Sequence, residues 1–195
     1  MPRGRPRSFD PDKALDRALK VFWKKGYEGA SLPDLTKAMG INRPSLYAAF
    51  GNKEALFRKA VERYAQGPAG YAREALELPK ARAVVERLLR GGTCMVTDPK
   101  NPRGCFMVQG ALTCGEGADA ARKELAKRRA AGEAALRRRL ERAKAEGDLP
   151  ADAHPADLAK YVVTVMHGMA VQATGGASRA DLERVADIAL RAWPA

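Results

Sequence analysis

Cysteine and histidine are scarce in this chain of 195 residues, which contains three cysteines and two histidines. An odd number of cysteines without a regular spacing argues against a secreted protein stapled by disulfides. The chain also lacks a glycine-rich phosphate-binding loop and any serine or cysteine with a base close by in the sequence. We therefore predict that the protein is not an enzyme, has no catalytic residues and binds no cofactor.

Long apolar runs are missing as well. The longest apolar stretch covers residues 161–173, and polar or glycine residues interrupt it at Thr164, His167, Gly168 and Gln172. This stretch is too short to span a bilayer, and no apolar run follows the arginines near the N-terminus, so no signal peptide is expected. The sequence therefore predicts a cytoplasmic protein without a membrane partner. Because strand signals and internal repeats are also absent, the predicted fold class is all-α.

Positive charge is abundant and unevenly distributed. The net charge is +12, and residues 1–60 contain 13 Lys and Arg against 6 Asp and Glu. A basic N-terminal domain is the expected electrostatic footprint of a protein that binds a phosphate backbone. A second basic block, residues 120–147, contains 10 Lys and Arg against 4 Asp and Glu. Its arginines alternate with Ala, Leu and Glu, so we interpret it as the solvated side of a long helix.

Residues 31–58 have the pattern of two short helices joined at a glycine and followed at once by a third helix start. Ser31 and Asp34 have the spacing of a capping box, and Gly40 stands where a helix end requires a left-handed residue. Asn42 then caps the second helix. Two compact helices at a steep angle around a glycine turn are the geometry that sets the second helix into the major groove of DNA.

The residues that flank this segment carry a resemblance to a known family. The landmarks are Ala18, Leu19, Phe22, Gly26, Tyr27, Glu28, Ala30 and Leu32 upstream, and Leu46, Tyr47, Phe50, Gly51, Asn52, Lys53, Glu54 and Phe57 downstream. In order and spacing, residues 10–60 resemble the DNA-binding domain of the TetR family of bacterial transcriptional repressors. The resemblance implies a homodimer of all-helical subunits, each with an N-terminal three-helix reader and a C-terminal ligand-binding and dimerisation domain.

The predicted architecture is accordingly a nine-helix TetR-like subunit. We expect a basic flexible arm at residues 1–9, a helix-turn-helix DNA-binding domain at 10–58, and a ligand-binding and dimerisation domain at 59–195. The resemblance implies a transcriptional repressor that a small-molecule effector releases from a palindromic operator. An architectural DNA binder without an effector site is disfavoured, because DNA binding alone does not require the apolar-patterned helices after residue 58.

The reading helix is expected at residues 42–49. By position against the family pattern, Arg43, Pro44 and Ser45 reach base edges, and Arg43 is the residue there that can bond guanine in a bidentate manner. Tyr47 and Lys53 match residues that hold backbone phosphates in the family.

Further DNA contacts are expected from the hairpin start and from the N-terminal arm. Ser31 can offer its hydroxyl and backbone amides to a phosphate. The arm reads Arg-Gly-Arg-Pro at residues 3–6, which either enters an A·T-rich minor groove or only adds general charge. The predicted DNA-binding residues are Arg3, Arg5, Ser31, Asn42, Arg43, Pro44, Ser45, Tyr47 and Lys53.

The C-terminal region is expected to supply the effector pocket and the dimer interface. Residues 155–174 are apolar on nearly all sides, and a helix of that kind must be covered from more than one direction. Together with the amphipathic helix expected at 178–193, they predict a homodimer through the last two helices. Aromatic, methionine and polar residues of the middle helices are the expected pocket lining: Tyr64, Tyr71, Cys105, Phe106, Met107, Gln109, Met166, His167 and Met169.

Cys105 is the sharpest candidate in that pocket. Its position at a helix N-terminus beside Arg103 predicts a lowered thiol pKa and a reactive thiolate. The Gly104-Cys105 pair, with a second cysteine shortly after, is similar to an electrophile-sensing branch of the family. Residues 3–6, 22–23 and 104–107 are similar to a copper-responsive branch. The predicted effector is therefore a small molecule or an electrophile, and two interpretations of Cys105 stay open, a reactive thiol and an inert core cysteine.

Disulfide formation and Cu(I) binding are two other roles that the cysteines could have. Cys114 lies nine residues beyond Cys105 and faces the opposite side of a straight helix, so Cys94 is the better disulfide partner. Soft ligands such as Cys94, Cys105, Met107 and Met166 suit Cu(I). The chain nevertheless lacks Cys-x-x-Cys and His-x-x-x-His spacings, and we predict no metal site.

Overall fold

The computed structural model describes residues 9–112 and 118–194, apart from the side chains of residues 111 and 112. These two ranges contain ten helices and no strand, which confirms the all-α prediction with one helix more than the nine expected. The helices are α1 (Pro11–Gly29), α2 (Leu32–Met39), α3 (Arg43–Phe50), α4 (Lys53–Gln66), α5 (Tyr71–Leu76), α6 (Ala81–Val96), α7 (Phe106–Leu112), α8 (Asp119–Ala145), α9 (Pro155–Thr174) and α10 (Arg179–Arg191). Arg3, Arg5 and Cys114 lie outside the described residues.

The additional helix is α5, which has six residues and no side-chain cap. It follows Gly67, whose φ of −97° and ψ of −99° end α4. A helix of less than two turns is too short to show the 3.6-residue apolar period that identifies longer helices in a sequence. Capping side chains begin α1, α2, α3, α4 and α10. Helix α9 has no such cap, but it begins and ends at the residues that the sequence predicted.

The first four helices form a small core beneath α1. Asp10 caps α1 by accepting hydrogen bonds from the amides of Asp12 and Lys13. The regular helix is interrupted at Gly26, where a φ of 71° places the backbone in a region that favours glycine. Phe22 and Phe57 are fully buried between α1 and α4, with ring centroids 5.2 Å apart at 87°. Each such side chain contributes roughly 1.5–3 kcal/mol to folding by leaving water.

The remaining helices pack around α6, which contacts α5, α8, α9 and α10. The two parts of the chain share one continuous core. Aromatic rings join them: Trp23 of α1 stands edge-on to Tyr64 of α4 at 4.8 Å, and it lies 6.5 Å from Phe106 of α7. Through these contacts, α1 connects the N-terminal helices directly to the C-terminal domain.

Apolar side chains remain exposed on the last two helices. Tyr161 and Val171 of α9, and Val185 and Ile188 of α10, expose 38–57% of their surface. The buried stripe of α10 is formed by other residues, including Leu182. None of the helices in the described ranges is long and apolar enough to cross a membrane.

Candidate nucleic-acid interface and ligand cavity

The short helix α3 presents one face to solvent and anchors the other in the core. Leu46 and Phe50 are buried, whereas Arg43, Pro44 and Tyr47 are exposed. Exposure of Tyr47 reaches 47%, which is high for a tyrosine without a partner surface. The structure thus brings these three predicted contact residues together on one outward face.

Backbone geometry on both sides fixes the direction of α3. Gly40 ends α2 in the left-handed region at a φ of 70°, and its amide donates to the carbonyls of Thr36 and Lys37. Asn42 then caps α3, because its Oδ1 accepts a hydrogen bond of 2.8 Å from the amide of Ser45. Asn42 is therefore occupied by capping through its oxygen, and Ser45 is half-buried in the first turn.

Arg43 carries a positive charge that no ion pair neutralises within the described part of the chain. Its side chain stands at the first position of α3, where it projects into solvent. An unpaired exposed guanidinium at the start of such a helix is suited to bidentate contact with a base edge or a phosphate.

Ser31 is more fully engaged than the sequence predicted. Its hydroxyl donates to Asp34 Oδ2 at 2.7 Å, its amide donates to the same carboxylate at 3.2 Å, and Asp34 N donates back to Ser31 Oγ. Lys25 lies 2.7 Å from Asp34 and is the main reason why the carboxyl pKa falls to about 2, with the Ser31 bonds adding to it. A phosphate contact through the hydroxyl proton or amide of Ser31 has to compete with this capping box.

Lys53 lies at the first position of α4 with its ammonium 4.6 Å from the ring centre of Tyr27. Partial burial lowers the pKa of Lys53, and the nearby charge of Glu28 works in the opposite direction. The ring of Tyr27 therefore holds the ammonium beside the reader, in a position set by a cation–π contact.

A cavity of about 360 Å³ lies in the C-terminal domain among α4, α5, α6, α7, α8 and α9. Most of its wall is apolar, which is typical of a small-molecule site. Seven of the nine predicted pocket residues line it: Tyr64, Tyr71, Cys105, Met107, Met166, His167 and Met169.

Phe106 and Gln109 do not belong to that lining, contrary to prediction. The ring of Phe106 is fully buried against Trp23, Phe57 and Tyr64. Gln109 donates through Nε2 to the carbonyl of Arg103 at 2.9 Å and lines a separate groove at the surface. Positions three apart share a helix face, so both residues point away from the side of α7 that meets the cavity.

The pKa of Cys105 is raised, so the predicted lowering by the helix N-terminus and Arg103 is wrong. Burial of the thiol is the main cause and outweighs the hydrogen bond from Tyr64 and the charge of Arg129, which act in the opposite direction. The Tyr64 hydroxyl donates to Cys105 Sγ at 3.1 Å. Cys94 is exposed and lines a groove at the surface, and both Cys94 and Cys105 are free thiols.

The long helix α8 contributes charged groups to the cavity wall that the sequence reasoning missed. Arg128 pairs with Glu124 at 2.8 Å, and Glu133 pairs with Lys160 of α9 at 2.6 Å. Arg129 instead donates to the carbonyl of Met107 at 2.7 Å. The sequence grouped these residues with the solvated side of α8, although the spacing of residues 129, 132, 133 and 136 could have indicated a shared face.

His167 faces the cavity from α9 in a largely neutral form. Burial is the main cause of its lowered pKa, and the charge of Arg129 lowers it further while Glu133 opposes the shift. Among the residues that the structure describes, no three His, Cys, Asp or Glu side chains come together in a way that could hold a metal ion.

Comparison with known proteins gives two family matches. The model of the bacterial regulatory proteins of the tetR family matches residues 14–60. The model of the tetracyclin repressor-like C-terminal domain matches residues 78–189. Together the two matches take in the reading helix and most of the cavity wall.

Individual relatives are similar over nearly the whole chain. The HTH-type transcriptional repressor ComR of Escherichia coli (strain K12) is 36% identical over 195 residues, covering 98% of this chain and 92% of ComR. A cysteine mutant of the TetR family transcriptional regulator CifR, solved with 26-bp double-strand operator DNA, is 46% identical at a TM-score of 0.93 and covers 98% of this chain and 100% of its own. A TetR regulator from Rhodococcus sp. RHA1 is 39% identical at a TM-score of 0.65, and the match covers 95% of this chain and 100% of the Rhodococcus chain.

Proposed function

This chain belongs to the TetR family of DNA-binding transcriptional regulators, and on that premise we propose that it is a repressor which an effector releases from a palindromic operator. The observation that carries the proposal is the exposed face of α3, with an unpaired Arg43 beside Pro44 and Tyr47. CifR, at 46% identity, was solved with operator DNA. That relative supports a similar mode of binding for this chain.

Residues 10–58 form the DNA-reading unit in this proposal, and residues 59–195 form the ligand-binding and dimerisation unit. Two copies of the subunit pair through α9 and α10, whose exposed apolar side chains would be covered by the partner. A two-fold dimer carries two reading helices, so its operator has two half-sites related by the same symmetry.

Each DNA contact has a distinct role. Arg43 reads a base in the major groove, whereas Tyr47 and Lys53 hold backbone phosphates. Arg3 and Arg5 of the N-terminal arm add contacts in the adjacent minor groove. The hydroxyl of Ser31 stays with Asp34, so Ser31 acts chiefly by holding α2 in place.

Effector binding in the cavity is transmitted to the reader through α7 and α1. Tyr64 donates to Cys105 in the cavity wall, and the ring of Trp23 packs against both Tyr64 and Phe106. Lys20 of α1 also donates to the carbonyl of Lys100, just before α7. Movement of the α7 start on effector binding therefore moves α1, and with it the spacing of the two reading helices.

Cys105 provides a second route to the same release. Its thiol lies in the cavity wall, so a small electrophile that enters the cavity can alkylate it. The sulfur of Cys105 adds to an electrophilic carbon–carbon double bond, whose π bond breaks as the carbon–sulfur bond forms, and the proton lost by the thiol ends on the neighbouring carbon. The product leaves a permanent group beside Tyr64. Since burial raises the thiol pKa, this route requires an electrophile that is itself reactive or is activated within the cavity.

The test is a binding titration of labelled DNA from the region upstream of this protein's own gene. We expect the wild-type protein to bind one or more discrete sites and to lose affinity when the cavity is filled. An Arg43→Ala variant that bound the same sites with unchanged affinity and sequence preference would overturn the proposal. A cavity-blocking variant, Gly92→Leu, separates DNA binding from release, because Gly92 lines the cavity far from α3.

A further inference from the structure

The Tyr71 side chain packs against two glycines of α6, Gly91 and Gly92. A Cβ atom at Gly91 would lie 2.4 Å from Tyr71 Cδ2, and one at Gly92 would lie 3.3 Å from the Tyr71 hydroxyl. The first distance is too short for any real side chain, so only glycine at position 91 leaves room for the ring. The ring is thereby packed against α6, and its hydroxyl is directed to the cavity wall beside Gly92.

The hydroxyl of Tyr71 is a hydrogen-bond donor without a partner in the described part of the chain. The other phenol in the wall, Tyr64, already donates to Cys105. Burial raises the pKa of Tyr71, and the neighbouring Cys105 thiol raises it further, so the phenol keeps its proton throughout the physiological range. Tyr71 is half-buried, and its hydroxyl on the cavity wall is free to donate a hydrogen bond to an acceptor atom of a ligand.

Arg129 supplies a second donor to the same space. Its guanidinium donates to the carbonyl of Met107 at 2.7 Å, and no described carboxylate lies within ion-pair distance of it. Its positive charge acts on Cys105, just before α7, and on His167 of α9, and both of these residues line the cavity. Arg129 therefore faces the space between them.

Of the other charged groups of the wall, Arg73 is exposed and has no ion pair among the described residues, and the remaining ones are paired. Arg128 is paired with Glu124, and the carboxylate of Glu133 is paired with Lys160. The neutral His167 adds no charge at physiological pH. The cavity therefore offers unfilled donors and two positive charges without an ion pair, Arg73 at its exposed edge and Arg129, and its single carboxylate is not available to a cationic ligand.

We propose that the effector is an apolar organic molecule whose one polar end accepts hydrogen bonds, with a carboxylate favoured over a neutral carbonyl and cations rejected. Tyr71 and Arg129 are the residues that bind this polar end. The apolar remainder occupies the part of the cavity lined by Leu76, Leu88, Met95, Val96, Val108 and Leu136. This inference rests on the proposed function, since it names the chemical class of the molecule that causes release.

Three probes with the same phenylpropyl body test the inference: 4-phenylbutyrate, 5-phenylpentan-2-one and 4-phenylbutylamine. Their binding to the full-length protein is measured by isothermal titration calorimetry without DNA. We expect the carboxylate to bind most tightly, the ketone more weakly, and the amine not at all. Tyr71→Phe keeps the ring against Gly91 and should weaken the carboxylate and the ketone by about tenfold or more. Arg129→Met should weaken the carboxylate by about tenfold and leave the ketone almost unchanged.

Two variants make the same chemical changes elsewhere. Tyr161→Phe removes a phenol of α9 that is not part of the cavity wall, and Arg122→Met removes an arginine of α8 that lies outside the wall and is paired with Asp119. Thermal unfolding checks that all four variants are folded. The inference is overturned if none of the probes binds, if the amine binds as tightly as the carboxylate, or if Tyr71→Phe and Arg129→Met bind the carboxylate as the wild type does.

Failure of this inference is distinguishable from failure of the proposed function. The calorimetry contains no DNA, so it reports only on the cavity. A protein that binds a specific operator and releases it with a cationic molecule would keep the proposed function and refute the carboxylate class. A protein that binds 4-phenylbutyrate but no specific DNA would do the opposite.

Discussion

Arg43 and Lys53, two of the basic side chains assigned to DNA, have different surroundings, so their removal should affect DNA binding differently. Arg43 is exposed and unpaired in the described chain, whereas Lys53 rests on the ring of Tyr27. Arg43→Ala should cost ~1–3 kcal/mol and relax preference at one base pair in each half-site. Lys53→Ala should weaken binding to all DNA sequences alike. It should also reduce the slope of log affinity against log salt concentration by about 1 for each subunit.

These effects are measured by fluorescence anisotropy on operator and mutated duplexes at several salt concentrations. Lys123→Ala is the control, because it removes an exposed lysine of α8 without touching the reader. An Arg43→Ala protein that lost the same affinity on every sequence would show that Arg43 holds a phosphate instead.

The different burial of Cys94 and Cys105 predicts different rates of reaction with thiol reagents. Cys94 is exposed, while Cys105 opens only to the cavity and has a raised pKa. In a Cys114→Ser background, a bulky charged maleimide should label Cys94 first, and small neutral iodoacetamide should also reach Cys105. The rate at Cys105 should keep rising with pH above about 8.5, the pKa of an ordinary thiol, because its thiolate forms later.

Mass spectrometry of partly labelled protein gives the two rates. Cys94→Ser and Cys105→Ser identify each signal. Faster labelling of Cys105 than of Cys94 by the bulky reagent at neutral pH would mean that the thiol is neither buried nor shifted upward.

At the scale of helices, the contact between α1 and α7 is where cavity and reader meet. Trp23 stands between Tyr64 and Phe106. Trp23→Phe replaces the indole with a smaller ring and should weaken this contact. Alkylation of Cys105 by iodoacetamide should then reduce operator affinity less than it does in the wild type. Operator affinity before alkylation should change by less than about threefold, since α3 is not altered.

The comparison uses proteins that lack Cys94 and Cys114, so that Cys105 alone reacts. Trp193→Phe is the matched control, because it makes the same change in a buried tryptophan beyond α10. Equal loss of affinity in wild type and Trp23→Phe would move the route of transmission to other contacts.

The helices that sequence alone predicted well are those with strong local signals. Ser178 and Asp181 form the capping box of α10, and Gly40 ends α2 in the left-handed region, as the pattern of residue types indicated. The short α5 has no capping side chain and too few residues to show the 3.6-residue apolar period, so the sequence did not predict it. Local chemistry is sufficient for helix ends because capping involves only neighbouring residues.

The types of residue that line the cavity could be predicted from the sequence, but the helix face that each side chain occupies could not. Phe106 and Gln109 have the residue types of pocket lining, yet they share the other face of α7. Arg129 has the type of a solvated residue and instead faces the cavity. The direction of the Cys105 pKa shift depended on how deeply the thiol is buried, which is a property of tertiary packing.

At the scale of the whole molecule, the exposed apolar side chains of α9 and α10 should form the dimer interface. Ile188→Glu places a charge on a side chain that is 57% exposed in the single subunit, so the subunit itself should remain folded. In a dimer the same charge would be buried without a partner, which is strongly unfavourable. We expect monomers by light scattering and about 100-fold weaker operator binding, since a single reader has half the contacts.

The control is Lys127→Glu, which introduces the same charge on the exposed side of α8. Circular dichroism should show equal helix content in both variants and the wild type. Dimers of Ile188→Glu with unchanged operator affinity would place the subunit interface elsewhere.

The central claim is that two copies of this chain read a symmetric DNA sequence through α3. Selection of bound duplexes from a random 30-bp library by the full-length protein, followed by sequencing, tests it most directly. The account predicts one enriched motif with two inverted half-sites, their centres about one helical turn apart or a multiple of it. It also predicts that the Arg43→Ala protein loses preference at one position in each half-site. An enriched motif without two-fold symmetry, or no enrichment at all, would contradict the account.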